Sequence, residues 1–405
     1  MQREMKDSGI DTVGKIPLDW NTIKLKYLVR IRTGNEDTQN ATPDGKYRFY
    51  VRSPIIERCD RYTFEGDGIL VAGDGAGAGR VFHLASGRYA VHQRVYCLSE
   101  FKYNTKFIYY YMGNLFPLEM DKGSAQSTVP SMRLPMLLNF NLVLPNEYEC
   151  FKIVDYLDKK CSEIDSLVDD IQTQITTLEE YKKSLITEAV TKGLNPNAKI
   201  KNSEVFYMAP YNVSWKLTKI GYECSKLYRG FDAEDVPLIC TNKGKVSIRP
   251  DEMSGKMVSE DNAMQGIQKG DIAIHGMDTW HGAIAISKYD GKITRVVHVC
   301  DSRQEKRFIV YYLQQLAFNG VYKLISNGVR GNTSDFRSWD KVKNIYIALP
   351  DIQEQQQIAD YLDSKCSEID TIVQTKKEQL DVLAEYKKSL IYEYVTGKKE
   401  VAVNE

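Results

Sequence analysis

The chain has 405 residues, 42% of them hydrophobic and 27% charged, and its 54 Lys and Arg residues balance 54 Asp and Glu residues. This length is too great for one ordinary domain, so we expect two to four structural units with hydrophobic cores. Because no run of about 18 apolar residues occurs and the first residues are polar, the sequence excludes a transmembrane helix and predicts a cytoplasmic protein with no membrane partner.

The charges are distributed unevenly along the chain. Residues 1–148 and 201–348 carry an excess of Lys and Arg, whereas residues 149–200 and 349–405 carry an excess of Asp and Glu. We interpret these four segments as the domain organisation, and the two basic segments are candidates for contact with phosphate. The eight cysteines form no CxxC pair and no Cys/His metal spacing, so we expect reduced thiols and no metal site.

The first segment, residues 1–148, contains a Gly-rich motif after a β-rich run, GDGAGAG at residues 73–79. A Gly-rich loop after a strand can cradle phosphates or a nucleotide cofactor, as in a methyltransferase. The motif is equally compatible with a flexible loop close to a DNA backbone and with a plain structural turn. Because the chain has no NPPF- or DPPY-like motif and no P-loop sequence, we expect neither a cofactor nor catalytic residues.

A Tyr-rich helix and a polar loop follow in the first segment. The tyrosines at 109–111 are expected to belong to a helix and to pack in the hydrophobic core rather than to form base-stacking platforms. The loop at 123–128 is either a capped surface loop or a DNA contact, since its side chains can bond to base edges or phosphates. The DNA-binding candidates of this segment are Gly73, Asp74, Arg80, His92, Gln93, Arg94, Gln126, Ser127 and Thr128.

The second segment, residues 149–200, has the pattern of one long helix. Apolar residues recur every three or four positions, Pro145 precedes the pattern, and Gly193 follows it. About 40 helical residues extend roughly 60 Å at 1.5 Å per residue, which is too long to pack within one small domain. The apolar seam includes Ile164, Val168, Ile171, Ile175 and Leu178, and Tyr181 continues its spacing.

The third segment, residues 201–348, repeats the order of the first. A Gly-Asp step at Gly270 enters a β-rich run, a Tyr-containing helix follows at 307–313, and a polar loop lies at 328–333. Arg and Asn side chains in such a loop can pair bidentately with guanine and adenine. The DNA-binding candidates of this segment are His275, His281, Arg330, Asn332 and Thr333.

The last segment repeats the first helix. Residues 349–396 match residues 144–191 at a constant offset of 205, and the runs DYLD, KCSEID and EYKKSLI recur intact. Chance does not produce such a match, so the chain is a tandem duplication. We expect the two helices to pair as an antiparallel coiled coil; the alternative is two separate helices, each packed on its own domain. The second seam includes Ile369, Val373, Leu380 and Leu383, and Tyr386 continues it.

These features resemble a known family. The opening MKDSGIDTVGKIPLDW, the LP…EQ…IADYLD…SEID pattern at Leu349–Asp370 and the GSAQSTVPSMRL loop are similar to segments of type I restriction-modification specificity subunits. The resemblance covers nearly the whole chain. It departs from the family pattern at Glu149-Cys150, where the second copy has Glu354-Gln355, and this departure concerns only the start of the first helix.

The resemblance implies an α+β fold with two globular target recognition domains separated by two long antiparallel coiled-coil helices in a pseudo-twofold tandem repeat. It implies that the chain binds a bipartite, asymmetric double-stranded DNA sequence, where two modification (methyltransferase) subunits methylate adenine and restriction (motor-nuclease) subunits join the complex. The chain itself would supply no chemistry. Two alternatives remain open at this point: a stand-alone S-adenosylmethionine-dependent DNA methyltransferase, and a coiled-coil protein adaptor without DNA binding.

Overall fold

The chain folds into two compact units that each combine strands and helices. Unit 1 comprises Met1–Ile171 and Glu378–Glu405, and unit 2 comprises Gln172–Lys377. The α+β class expected from the sequence is confirmed. The finer division into four segments stays a prediction. The computed structural model describes residues 3–123, 131–250, 263–326 and 335–402.

Unit 1 contains two four-stranded sheets and two further strand pairs. The strands are β1 (Met5–Asp7), β2 (Lys15–Pro17), β3 (Asn21–Lys24), β4 (Arg30–Thr33), β5 (Tyr47–Tyr50), β6 (Ile56–Cys59), β7 (Phe64–Glu65), β8 (Gly68–Ala72), β9 (Phe82–Ala85), β10 (Arg88–Val91), β11 (Val95–Ser99) and β12 (Asn141–Leu144). One sheet is antiparallel in the order β4-β11-β8-β9. The other has the order β6-β5-β10-β7, with β5 and β10 parallel, while β1 pairs with β2 and β3 with β12.

The core of unit 1 lies between the first of these sheets and a helix. β8 is buried at all five positions, because its apolar run Gly-Ile-Leu-Val-Ala is covered on both faces. Helix α1 (Thr105–Gly123) follows the sheet and places Phe107 and Tyr111 in the same hydrophobic cluster as Ile69 and Val71. A short helix, α2 (Leu134–Leu138), precedes β12. Tyr111 is buried in the core as expected, whereas Tyr109 and Tyr110 are half-buried against the same core.

Unit 2 repeats the central part of this architecture. Its strands are β13 (Ile200–Lys201), β14 (Tyr211–Asn212), β15 (Lys216–Lys219), β16 (Cys224–Lys226), β17 (Leu238–Thr241), β18 (Lys245–Ile248), β19 (Met264–Ile267), β20 (Ile272–His275), β21 (Ile284–Ile286), β22 (Gly291–Thr294), β23 (Val297–Ser302) and β24 (Tyr346–Leu349). Its short helices are α4 (Ile220–Glu223), α5 (Lys306–Phe318), α6 (Val321–Leu324) and α7 (Trp339–Lys343). The antiparallel sheet β16-β23-β20-β21 corresponds to β4-β11-β8-β9, and the pair β15–β24 corresponds to β3–β12.

Two long helices supply the remaining structure. They are α3 (Glu147–Lys192), with 46 residues, and α8 (Ile352–Val395), with 44 residues. Side chains cap both starts, since Asn146 accepts a hydrogen bond from the backbone of Glu149 and Asp351 accepts one from that of Glu354. Both helices end before a glycine in the left-handed region, Gly193 with φ 84° and Gly397 with φ 70°. The stop signals read from the sequence are therefore confirmed.

Segments of the two long helices run antiparallel within unit 1. Lys387 Nζ of α8 donates to Asp165 Oδ1 of α3 at 2.6 Å. The rings of Tyr156 and Tyr394 lie 4.6 Å apart between their centroids. From the first contact to the second, the residue number falls from 165 to 156 in α3 and rises from 387 to 394 in α8. The two helix segments therefore run antiparallel.

Unit 2 contains the equivalent antiparallel arrangement. Lys182 Nζ donates to Asp370 Oδ1 at 2.7 Å, and Lys376 Nζ donates to Gln174 Oε1 at 2.5 Å. The pair Lys182–Asp370 is the counterpart, at the offset of 205, of the pair Lys387–Asp165 in unit 1. The same ion pair therefore occurs in both units, but the lysine comes from α8 in unit 1 and from α3 in unit 2.

The side chains of the expected seam face away from solvent to different extents. Ile164, Ile175, Ile369 and Val373 are buried. Five others are half-buried: Val168, Ile171, Leu178, Leu380 and Leu383. The continuous pairing of all nine positions stays a prediction.

Each globular region is also fastened to the long helices by the same polar contact. Tyr110 OH of α1 donates to Asp158 of α3, and Tyr311 OH of α5 donates to Asp363 of α8, both at 2.7 Å. All eight cysteines are buried free thiols, as the sequence indicated. Among the described residues, no helix combines the length and the apolar character needed to cross a bilayer.

Candidate nucleic-acid interface

The same loop arrangement follows the central strand of both antiparallel sheets. After β8, Gly73 N donates to Arg94 O at 2.9 Å, and Met132 N donates to Gly73 O at 2.8 Å. After β20, Gly276 makes the corresponding two bonds, to Val296 O at 2.9 Å and from Phe336 N at 3.0 Å. Each strand end is thereby joined to the described residues that directly follow the polar loops singled out in the sequence.

Glycine is required at both of these strand ends by close backbone approach. A Cβ atom on Gly73 would lie 2.9 Å from Arg94 O, and one on Gly276 would lie 2.7 Å from Phe336 O. Real Cβ atoms do not approach backbone oxygens so closely, so any side chain would push the loops apart. The two glycines define a common position in the two units.

The Gly-rich motif at 73–79 forms a packed turn. The amides of Ala78, Gly79 and Arg80 already donate to carbonyls within the turn and the end of β8. Ala78 is fully buried, and a Cβ on Gly79 would meet the side chain of Met120 in α1 at 2.5 Å. The amides at the end of the motif are therefore bound within the turn itself, and the turn packs against α1.

One carboxylate of this turn holds two arginines. Asp74 Oδ1 accepts from Arg52 Nη1 at 2.9 Å, and Asp74 Oδ2 accepts from Arg94 Nη1 at 2.6 Å. Burial alone would raise the pKa of Asp74, but the hydrogen bonds from Arg94 and Arg52 outweigh it and lower the pKa. Asp74 is therefore ionised at neutral pH and fixes two positive charges at the end of β8.

The segment before Arg94 is held by its own hydrogen bonds. His92 is buried, and its Nδ1 accepts from the backbone of Arg94 at 3.0 Å. Burial lowers the pKa of His92, and the nearby Arg52 lowers it further, so the ring is neutral at pH 7. Gln93 Nε2 donates to Asp37 at 2.8 Å. His92 thus shapes the loop that presents Gln93 and Arg94.

Arg80 lies close to this cluster along the chain but has a different partner. Its guanidinium forms an ion pair with Asp121 of α1, and its side chain is 49% exposed. It therefore remains accessible to a ligand next to the packed turn. Contact between Arg80 and DNA stays a prediction.

In unit 2 the turn around Gly276 contains two histidines, and Val296 makes the backbone contact that Arg94 makes in unit 1. His275 Nδ1 accepts from the backbone of Asp278 at 3.1 Å, and burial lowers the pKa of His275, so the neutral ring stabilises the turn. His281 is half-exposed, and its Nδ1 lies 4.0 Å from Asp278. The two strand ends are equivalent in backbone and different in side-chain chemistry.

The structure brings together Gly73, Asp74, Gln93 and Arg94 in unit 1, and His275 and His281 in unit 2. Arg52 and Asp37 are not among the candidates expected from the sequence, because their contacts with Asp74 and Gln93 join residues far apart in the chain. No spacing pattern signals such pairs in a single sequence. The other candidates lie outside the described residues: Gln126, Ser127, Thr128, Arg330, Asn332 and Thr333.

Comparison with known proteins identifies one family. The family described as type I restriction modification DNA specificity domain matches residues 17–177 and 248–382. The EcoDI specificity subunit of a type I restriction enzyme from Escherichia coli is 21% identical over 384 residues, which cover 89% of this chain and 84% of that protein. The MjaVIII specificity subunit of Methanocaldococcus jannaschii is 22% identical, with 96% of this chain and 94% of that protein covered.

A solved structure shares the fold. A chain from a study of complex assembly and conformational transition of the type I R-M system superimposes with a TM-score of 0.67. It is 14% identical, and the match covers 95% of this chain and 99% of that chain. The similarity therefore extends over both units and is evidence for the fold.

Proposed function

Because the chain belongs to the type I restriction-modification DNA specificity family, we propose that it reads a bipartite, asymmetric double-stranded DNA sequence. Each unit contributes one reader, and the two readers recognise different half-sites. The bound chain directs modification subunits to methylate adenine at that sequence, and restriction subunits join the same complex. The chain itself contributes the sequence specificity and no chemical step.

One observation carries this proposal: the two units have the same strand-end geometry with different side chains. Gly73 and Gly276 make equivalent backbone contacts, whereas the residues beside them differ in charge and shape. A scaffold that repeats while its side chains diverge is suited to reading two different sequences, since base identity is read by side chains and position by the backbone. Asymmetry of the DNA site follows.

The exposed faces of the long helices support docking of two modification subunits. Leu167 and Tyr386 are 51% and 54% exposed in unit 1, and their counterparts in the repeat, Ile372 and Tyr181, are 46% and 56% exposed in unit 2. Exposed apolar and aromatic side chains are typical of protein interfaces. Each unit thus exposes one such docking pair, Leu167 with Tyr386 in unit 1 and Ile372 with Tyr181 in unit 2.

The experiment that tests the proposed function is single-molecule sequencing of host DNA with and without the gene, scored for methyladenine. We expect methylation at one asymmetric, gapped motif to disappear when the gene is deleted. Loss at a short continuous motif would favour a stand-alone methyltransferase instead. Binding of S-adenosylmethionine by the purified chain alone would contradict the assignment of the chemistry to other subunits.

A further inference from the structure

Two arginines share one carboxylate at the end of β8 and keep most of their donors uncommitted. Arg52 and Arg94 each use Nη1 to bind Asp74. Their side chains are 42% and 61% exposed, whereas that of Asp74 is 19% exposed. Within the described residues, the Nε–Nη2 edge of each guanidinium makes no hydrogen bond. That edge carries two parallel N–H donors.

The backbone that carries these side chains is fixed on every side. Arg94 N donates to His92 Nδ1 at 3.0 Å, and Arg94 O accepts from Gly73 N at 2.9 Å. The carbonyl of Arg52 lies so close to Gly77 that a Cβ there would be 2.6 Å away. The two guanidinium groups are therefore oriented before any ligand arrives.

Stability of the fold gives little reason for this arrangement. Ion pairs between exposed side chains contribute little to folding, because solvent screens them and ordering two long side chains costs entropy. The same ordering becomes useful when a ligand binds, since less freedom is then lost. A fixed pair of N–H donors matches the O6 and N7 acceptors that guanine presents in the major groove.

We infer that Arg52 and Arg94 read guanine in the half-site bound by unit 1, and that Asp74 is the residue that positions them. The inference rests on the proposed function and adds the base that this reader requires. A phosphate would also bind the two guanidinium groups, but a phosphate contact carries no sequence information: its loss weakens binding to all sequences alike, whereas loss of a base contact relaxes the motif at one position. This difference makes the two ligands distinguishable.

The first test replaces each arginine by lysine in the host. In Arg52→Lys and Arg94→Lys, methyladenine sequencing is expected to show that one half of the motif no longer requires guanine at a given position, while the other half is unchanged. Arg88→Lys is the matched control, because Arg88 is an exposed arginine paired with Glu65 at the opposite end of β10. The control is expected to keep the original motif.

Asp74→Asn tests the positioning role. The amide keeps the size of the side chain and removes the charge that holds both guanidinium groups. We expect the same guanine positions to be relaxed as in the lysine variants, with no change in the other half-site. A merely structural role for Asp74 would lower methylation at every position of the motif equally.

A second measurement serves if a variant abolishes methylation altogether. The chain is reconstituted with its modification subunits, and binding is measured on DNA in which each guanine in turn is replaced by 7-deazaguanine, which lacks the N7 acceptor. At one guanine, we expect the replacement to weaken binding by the wild-type complex roughly tenfold to hundredfold. The same replacement should have almost no effect on binding by Arg94→Lys or Arg52→Lys, because the contact is already lost in that variant.

Two results would overturn the inference. The first is a methylation motif that stays unchanged in both lysine variants. The second is a binding experiment in which, for every guanine, 7-deazaguanine weakens binding by the same factor in the wild type and in both variants. Either result leaves the proposed function intact as long as deletion of the gene abolishes methylation. If deletion changes nothing, the proposed function itself has failed, and the failures are thus separable.

Discussion

At the scale of single residues, two equivalent glutamates show how the repeat has diverged. Glu149 and Glu354 each accept a hydrogen bond from a tryptophan indole, Trp20 at 2.9 Å and Trp215 at 3.2 Å. Arg3 additionally binds Glu149. Among the described residues, the carboxylate of Glu354 has only the tryptophan as donor, and burial raises its pKa. The glutamate of the first copy therefore has a cationic partner, whereas among the described residues that of the second copy has none.

Glu354→Gln is expected to stabilise unit 2 at neutral pH. A carboxyl with a raised pKa in the folded state favours folding when protonated, and this contribution is lost as the pH rises through the folded pKa. The neutral amide avoids that loss, so the gain in Tm should be present at pH 7 and absent near pH 4. It should amount to at most a few degrees, since about 1 kcal/mol moves Tm by roughly 2–4 °C in a domain of this size.

Glu149→Gln is the control for this prediction, and its effect should have the opposite sign. It removes one of the two carboxylates that pair with Arg3, the other being Asp19, and the side chain of Arg3 is only 26% exposed. Thermal unfolding followed by circular dichroism at the two pH values measures both variants. A lower Tm for Glu354→Gln at pH 7 would show that the indole hydrogen bond already compensates the buried charge.

At the scale of elements, apolar burial and ion pairs contribute very differently to the pairing of the long helices. Ile175 is 3% exposed, whereas Lys182 and Asp370 form a bridge in which the carboxylate is 57% exposed. Removal of a buried isoleucine side chain leaves a cavity, while an exposed bridge is largely screened by solvent. We therefore expect the buried seam positions to supply most of the free energy of helix pairing and the bridges to supply register.

Ile175→Ala is accordingly expected to lower the free energy of unfolding by about 2–4 kcal/mol. Lys182→Ala should lower it by no more than about 1 kcal/mol. Urea unfolding of the two variants beside the wild type measures both values. Equal losses would mean that the helices are held mainly by their charges, contrary to the burial pattern.

The sequence predicted elements better than contacts. Helix stops at Gly193 and Gly397 and the core role of Tyr111 follow from local chemistry and periodicity. Tyr181 and Tyr386 have seam spacing but are exposed, because a straight helix with 3.6 residues per turn drifts out of a heptad pattern. The bonds of Asp74 to arginines 22 and 20 residues away depend on tertiary structure, which leaves no signal in spacing.

At the scale of the whole molecule, each unit is assembled from both copies of the repeat. Unit 1 takes the start of α3 and the end of α8, and unit 2 takes the complementary segments. Equivalent contacts, such as Asp165–Lys387 and Asp370–Lys182, are therefore formed by exchanged helices. The two proposed docking pairs, one in each unit, are therefore equivalent as well.

Leu167→Glu is expected to remove one modification subunit from the complex and leave the other. A charge in the centre of an apolar contact costs several kcal/mol, enough to abolish binding at that site. Native mass spectrometry of the co-expressed complex counts the subunits. Ile372→Glu should have the same effect, and the double variant should bind none.

Gln172→Glu provides the control, because it adds the same charge at an exposed polar position of α3. It should retain two modification subunits. Retention of both subunits in Leu167→Glu and Ile372→Glu alike would place the docking surface elsewhere on the chain.

Because each unit contains segments of both long helices, the two units are completed in a fixed order during synthesis. Unit 2 is complete once residue 377 has been added, whereas unit 1 needs residues 378–405, although its globular region was made first. At about 5–20 residues per second, the first 171 residues wait roughly 10–40 s for their second helix. Until then the apolar seam of the early half is uncovered on the ribosome, so the half made first is the last to finish folding and the one most exposed to misfolding.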